Sequence, residues 1–328
     1  MKRRQFIDYS TKAAVVAGVA FSPLRSLSAQ ATKTGLVFDD SFKHHHIDPN
    51  HPESPERYFA LKKQFVESDL FAKTTQIQPL RNIEAWLKLV HSDEHINAIK
   101  KDRTTHDNVC LATGGALAAV DQVCSGQLSN AFCASRPPGH HALNTGKEEG
   151  FCYYNHIAVA ARYAQQKYQL KKILIVDWDY HHGNGTEATF YRDPNVLFFS
   201  THDQFSYPGT GDPTKKGAGA GLGFNMNVHL DCGAGDTEIL HAFETLLLPA
   251  AEKFKPDLIL VSSGFDSRED DLLGCHNVTD VGFAKLTKMI KTLAEQHCDG
   301  RLVSILEGGY NIQGNAQAAA AHVEALLE

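Results

Sequence analysis

KKILIVDWDYHHGNG, residues 171–185, decides how the fold is read. Residues 173–176 are aliphatic without interruption, a run of strand length, and the polar string Asp177-Trp178-Asp179-Tyr180-His181-His182 follows directly. A strand that is apolar on both faces belongs in a parallel sheet covered by helices, where ligands collect beyond the carboxyl ends of the strands. Outward from this strand, expected at 172–176, further apolar runs lie at 35–38, 131–134, 196–200, 258–262 and 302–306. They alternate with helical stretches at 56–66, 116–124, 156–167, 237–254, 280–296 and 313–327. This alternation predicts an α/β fold of three layers, α/β/α, around a mainly parallel central sheet.

The same rule puts chemistry at four strand ends: Arg136-Pro137-Pro138-Gly139-His140-His141, the string at 177–182, Gly264-Phe265-Asp266 and Glu307-Gly308-Gly309-Tyr310. All four face one rim. Asp177, Asp179 and His181 alternate, which in extended backbone turns their side chains to one face. One carboxylate and one imidazole from this strand end are half a mononuclear metal site. Asp266 supplies a third ligand, and a fourth position stays open to water, the catalytic zinc pattern. His140 and His141, adjacent in a Pro-Pro-Gly turn, flank that water and exchange protons with it. Asp177, not needed as a ligand, can accept from one imidazole and fix its tautomer, and Asn184 can do the same for the other. Tyr310 follows a glycine pair, so its phenol can donate to a carbonyl oxygen as negative charge develops there.

Composition bounds the alternatives. The 328 residues are 42% hydrophobic and 21% charged, which excludes a disordered chain or a small disulfide scaffold. Thirty-two Lys and Arg against 38 Asp and Glu leave a net charge of −6, with no basic surplus for a nucleic-acid backbone. Residues 1–31 read differently from the rest. Lys2, Arg3 and Arg4 head an apolar run at 13–21, and Ala29-Gln30-Ala31 has cleavage spacing. This is the pattern of an export signal, and Arg3-Arg4-Gln5-Phe6-Ile7 resembles a twin-arginine signal, so a periplasmic or exported location is expected. Cleavage after Ala31 would leave a single domain, 32–328, with a net charge of −10. No stretch reaches the ~20 apolar residues of a membrane span, so no stable membrane insertion is expected. The seven cysteines lack C-x-x-C spacing, and their odd number fits mostly free, buried thiols.

Together these strings resemble the histone deacetylase family, of arginase–deacetylase fold, over most of the chain from about residue 35. The pieces stand in family order: HPESPER (51–57), RPPGHHA (136–142), GFCYYNHIAVAA (150–161), VDWDYHHGNGT (176–186), YPGTGD (207–212), SSGFDS (262–267), LLGCHNVT (272–279) and LEGGY (306–310). The resemblance implies a zinc-dependent amidohydrolase that removes acetyl or other acyl groups from amines, with ferrous iron as the alternative metal. It implies Asp179, His181 and Asp266 as ligands, His141 as general base and then acid, His140 as its electrostatic partner oriented by Asp177, and Tyr310 as the carbonyl donor. Asn184 in HHGNG is similar to class II members; class I members carry Asp there. Phe151, beside Gly150, and Tyr207 are implied as tunnel walls, and most relatives carry Phe at the second place. Also implied are a structural potassium at the carbonyls of Asp177, Asp179 and His181 with Ser200 nearby, and Arg57 beneath the metal at the acetate exit. His44-His45-His46 departs from the family and is read as a solvated run in preference to a second metal site.

Acetyl-lysine in peptides, or a related small N-acetylated amine, is the expected substrate. Polyamine-specific relatives carry an acid at a tunnel-mouth position that falls on Leu273 here, which ranks acetylpolyamines second. The acids Glu148, Glu149, Glu269 and Asp270 are the residues that could reverse this order. A binuclear, arginase-like site would need a second carboxylate after Asp266, where Ser267 and Arg268 stand. A non-catalytic sensor of acyl amines ranks last, because His140, His141 and Tyr310 are all present. The sequence carries no signal for an oligomeric state.

Overall fold

A computed structural model describes residues 34–328; the expected export segment, 1–31, lies outside the described residues. Eight strands form one sheet: β1 (Thr34–Val37), β2 (Thr75–Ile77), β3 (Asn130–Cys133), β4 (Ile173–Asp177), β5 (Val196–His202), β6 (Asn225–His229), β7 (Leu258–Ser263) and β8 (Leu302–Leu306). Their order is β2-β1-β3-β8-β7-β4-β5-β6, and every pairing is parallel. Both strands absent from the sequence reading, β2 and β6, are the sheet edges. β2 is three residues long with two of them exposed, and β6 alternates Asn, Met, Asn, Val, His at partial burial. An edge strand lacks the second apolar face, and with it the continuous run that marks a central one.

The helices are α1 (Pro55–Glu67), α2 (Leu70–Lys73), α3 (Glu84–Leu87), α4 (Asp93–Ile99), α5 (Arg103–Cys124), α6 (His156–Tyr168), α7 (Asn184–Phe190), α8 (Asp236–Ala242), α9 (Leu248–Phe254), α10 (Asp280–His297) and α11 (Ile312–Leu327). The helix expected at 116–124 is the last part of α5, which opens earlier, where the Asp102 carboxylate accepts from Thr105 N. The stretch expected as one helix at 237–254 is α8 and α9 joined through a wide π turn, Phe243–Leu247, at the approach to Pro249. Proline has no N–H to continue the ladder, and the looser turn absorbs its loss.

Alternate residues of each central strand feed two cores. Leu174, Val176 and Val261 pack with α1, α10 and α11; Ile173, Ile175 and Leu260 pack with α5 and α6. These are the three expected layers, and the connections at the carboxyl ends of the strands are left to carry the polar strings. Cys232 and Cys275 are joined in a disulfide with Cα atoms 5.1 Å apart, a pairing the spacing of the cysteines did not show. Cys110, Cys124, Cys133, Cys152 and Cys298 are free. Among the described residues no helix is long and apolar enough to cross a membrane.

Candidate active site

β4 ends on Asp177, and the chain does not stay extended to His181 as the alternation predicts. Asp177 Oδ1 accepts from Asp179 N at 3.1 Å, and Asp179 Oδ1 accepts from His181 N at 2.9 Å. Two successive turns, each closed by a carboxylate on the amide two residues ahead, therefore bring these side chains together. From the neighbouring strand end beyond β7, Asp266 accepts from Tyr180 N with Oδ1 at 2.8 Å and faces His181 Nδ1 with Oδ2 at 3.0 Å. Gly308 N, beyond β8, donates to Asp179 Oδ2 at 2.8 Å.

One ligand atom each from Asp179, His181 and Asp266 lies within 4.8 Å of the other two, and no other such group of three occurs among the described residues. All three side chains are buried. Burial, reinforced by the Asp179 charge, pushes the Asp266 carboxyl up to about 7. Burial also opposes ionisation of Asp179, but His140 and His181 hold it far below the usual carboxylate range. His181 is raised to about 10 against its burial by Asp179 and Asp266. Two buried carboxylates crowded on one imidazole are short of positive charge, and the set fits a divalent cation. Ser267 Oγ points to the Trp178 carbonyl and Arg268 pairs with Asp280, so neither adds a ligand for a second ion.

Above this group sit the tandem histidines, ring centroids 4.0 Å apart. His140 Nδ1 is 3.0 Å from Asp177 Oδ2, and His141 Nδ1 is 2.8 Å from Asn184 Oδ1. Both carboxylate and amide are where the sequence reading put them. Burial works against a charge on His140, but Asp179 and Asp177 outweigh it and hold the imidazole well above its ordinary value. Burial and the neighbouring His140 and His181 push His141 well below. The two environments thus push the imidazoles apart, His140 towards the charged form and His141 towards the neutral one, the division an acid–base pair requires.

Of these groups, His141 and His181 line a cavity of about 560 Å³. Phe151, Tyr207 and Tyr310 line it too, as does the half-exposed Leu273 towards its mouth. Gly150 has φ +53°, and a Cβ there would come within 2.4 Å of His141 Cδ2, so only glycine lets this backbone lie against the imidazole. Glu148 and Glu149 line the same cavity; Glu269 and Asp270 do not. A larger cavity of about 890 Å³, beside Arg192 and Lys215, contains none of these side chains.

Ser200 pairs with Asp177 across the β4–β5 register and bonds His202 Nδ1 at 2.8 Å. Arg57 lies over the Tyr310 ring at 5.1 Å and pairs with Glu53, whose carboxylate also takes a two-pronged contact from Arg136. The histidine run is not uniformly solvated: His44 and His46 are exposed, whereas His45 is fully buried, 3.6 Å from Glu53. A solvated run needs three outward-facing rings, and where the short helical turn Asp40–His44 gives way to extended backbone the His45 ring is inward.

Two residues outside the sequence-derived set stand out. Glu307 Oε2 accepts from Gly139 N at 2.6 Å and His140 N at 3.1 Å, while Oε1 takes the Ser262 hydroxyl at 3.0 Å. It stood in a quoted strand-end string, but nothing in that string showed that it grips another loop. Asp271 accepts from the amides of Tyr310 and Asn311, and no sequence pattern marked it.

Comparison with known proteins agrees with this geometry. Residues 51–326 match the histone deacetylase domain. The chain is 36% identical to a probable deacetylase of Archaeoglobus fulgidus over 86% of this chain and 82% of the relative. It is 35% identical to the chloroplastic histone deacetylase 14 of Arabidopsis thaliana, over 93% and 80% of the two chains. The crystal structure of the HDA15 HD domain superposes with a TM-score of 0.84 at 34% identity, covering 90% of this chain and 88% of that one.

Proposed function

The chain belongs to the histone deacetylase family, and from that premise we propose that it holds zinc on Asp179, His181 and Asp266 and hydrolyses the acetyl amide of acetyl-lysine or a related small N-acetylated amine. Membership makes it a deacetylase, a hydrolase of acetyl amides. The observation that carries the finer reading is the convergence of three buried N/O ligand atoms beside a tandem-histidine pair, with His181 and His141 opening on one cavity. When bound, the divalent ion supplies Lewis acidity to the acyl carbonyl and to the attacking water. Ferrous iron takes the same donors and is the alternative ion.

The side chains do the remaining work. With Nδ1 turned to the Asn184 oxygen, His141 presents Nε2 as the lone pair that takes the proton from water and later delivers it to the departing amine. His140, held by Asp177, stays charged beside the developing negative oxygen. The Tyr310 hydroxyl donates to that oxygen. Phe151 and Tyr207 enclose the aliphatic stem and exclude water from it.

Acetylpolyamines are the second reading, favoured by the two acids, Glu148 and Glu149, on the cavity wall and opposed by Leu273 at its mouth. A purified protein loaded with zinc or ferrous iron, assayed on acetyl-lysine peptides, acetylated polyamines and longer acyl-lysines with and without chelator, decides the matter. Acetyl-lysine turnover lost with chelator is expected. Turnover of polyamines alone would install the second reading, and no product from any with metal bound would refute both. The twin-arginine-like string at 3–7 supports export, and the Cys232–Cys275 bond is at home in an oxidising periplasm. Fractionation with N-terminal sequencing of the mature chain tests it.

A further inference from the structure

The hydroxyl of Tyr310 makes no hydrogen bond to another described residue, so the direction of its ring must come from packing and from the backbone that carries it. Packing around the buried ring includes Phe151, T-shaped with centroids 5.6 Å apart, and the Arg57 guanidinium, 5.1 Å from the ring centroid. The backbone arrives through Gly308-Gly309, with Gly309 at φ +123°, a conformation without its own steric stops. Gly308 is pinned, its N donating to Asp179 Oδ2 at 2.8 Å and its carbonyl accepting from Phe265 N at 3.0 Å, and past Gly309 the chain is held by one carboxylate. Asp271 Oδ2 accepts from Tyr310 N at 2.7 Å and from Asn311 N at 2.9 Å, at the entrance to α11. Its other oxygen, Oδ1, accepts from Leu273 N at 2.9 Å and Gly274 N at 3.3 Å. Four backbone amides from two connections thus share a single side chain, which fastens the phenol-bearing turn to the mouth-lining segment that begins at Asp266.

We propose that Asp271 is a positioning residue for deacetylation, fixing the Tyr310 phenol over the scissile carbonyl by clamping the Tyr310 and Asn311 amides. The proposal rests on the carbonyl-donor role given to Tyr310 above. An oxyanion donor acts only within hydrogen-bond reach of where the charge develops, and a displacement of about 1 Å can cost ~100-fold in rate. Asparagine at 271 has one acceptor oxygen for two pairs of N–H groups, so it must turn its own NH2 towards one pair and release it. Alanine releases both.

The test is a double-mutant cycle of Asp271→Ala and Tyr310→Phe on metal-loaded enzyme, with kcat and KM for an acetyl-lysine peptide, metal content and Tm measured for each. Tyr310→Phe alone is expected to lose ~100- to 1000-fold in kcat. Asp271→Ala alone is expected to lose ~10- to 100-fold in kcat, with KM and metal content held. On the Tyr310→Phe background the same change is expected to cost almost nothing, because the group it aims is gone. Should Asp271→Ala not fold, Asp271→Asn, of equal volume, carries the same cycle. An equal loss in both backgrounds would mark Asp271 as merely structural and overturn the proposal, as would an unimpaired Asp271→Ala enzyme. A fully active Tyr310→Phe enzyme would overturn the phenol's role and this proposal with it. That result is distinct from failure of Asp271 alone, where Tyr310→Phe is impaired and Asp271→Ala is not.

Discussion

Glu307→Ala removes the acceptor of two buried amides, Gly139 N and His140 N, and the partner of the Ser262 hydroxyl. Each donor stranded away from water costs about 1–3 kcal/mol, and with water entering the space left by the side chain the sum falls near the lower end, roughly 3–5 kcal/mol. At about 1.6 °C per kcal/mol for a domain of this size, Tm should drop by roughly 5–8 °C. Glu307→Gln keeps an oxygen for the amides and can donate its NH2 to the Ser262 oxygen, so it should cost only about 1 kcal/mol. Because the clamped amides belong to the histidine turn, kcat should fall in the alanine variant even where it remains folded, and much less in the glutamine variant. A second handle comes from titration. Burial pushes the Glu307 carboxyl up to about 7, against an ordinary value of 4.5. The folded state therefore holds this proton more tightly than the unfolded chain, and the resulting stability is full below about pH 4.5 and lost as pH rises through about 7. The glutamine variant does not titrate, so it should gain on the wild type between about pH 4.5 and pH 7 and keep a constant difference above that. Calorimetry across that range and steady-state assays check both parts. The reasoning fails if the alanine variant melts with the wild type, or if glutamine proves as costly as alanine.

Removal of metal by chelator should lower Tm and re-addition of zinc should restore it, by about 2.7 kcal/mol at a hundredfold excess over Kd; an Asp266→Asn protein that still shows the full zinc-dependent shift would remove that residue from the ligand set. His91, His156 and His322 are held by burial at about 3, 4 and 3, below their ordinary value, so the folded state resists protonation. Stability is then full above about pH 6.5 and falls as pH drops towards those values, by about 1.4 kcal/mol per unit for each ring; urea midpoints that stay level from about pH 7 to pH 5 would contradict this. Reduction of Cys232–Cys275, 43 residues apart in sequence, should cost up to roughly 4 kcal/mol of stability, and Cys232→Ser should reproduce the loss and abolish the effect of dithiothreitol.

What could be read from sequence follows from where each feature's cause resides. The six inner strands were legible because burial on both faces writes a continuous apolar run, and β2 and β6 were not because an edge needs no such run. Asp179, His181 and Asp266 were legible because parallel topology alone delivers strand ends to one rim, although the turns that join Asp177 to His181 replaced the extended chain expected there. Glu307 and Asp271 escaped for a different reason. Their partners are backbone amides of other connections, Gly139 and His140 in one case, Tyr310 and Asn311 in the other, and an amide has no letter in the sequence. Asp177 and Asn184, which orient imidazoles through side-chain contacts, were legible by type, whereas Glu307 and Asp271, which grip main-chain amides of other connections, were not. The aiming carboxylates are also the ones whose loss should separate kcat from metal binding, since neither Asp271 nor Glu307 hydrogen-bonds the side chain of Asp179, His181 or Asp266.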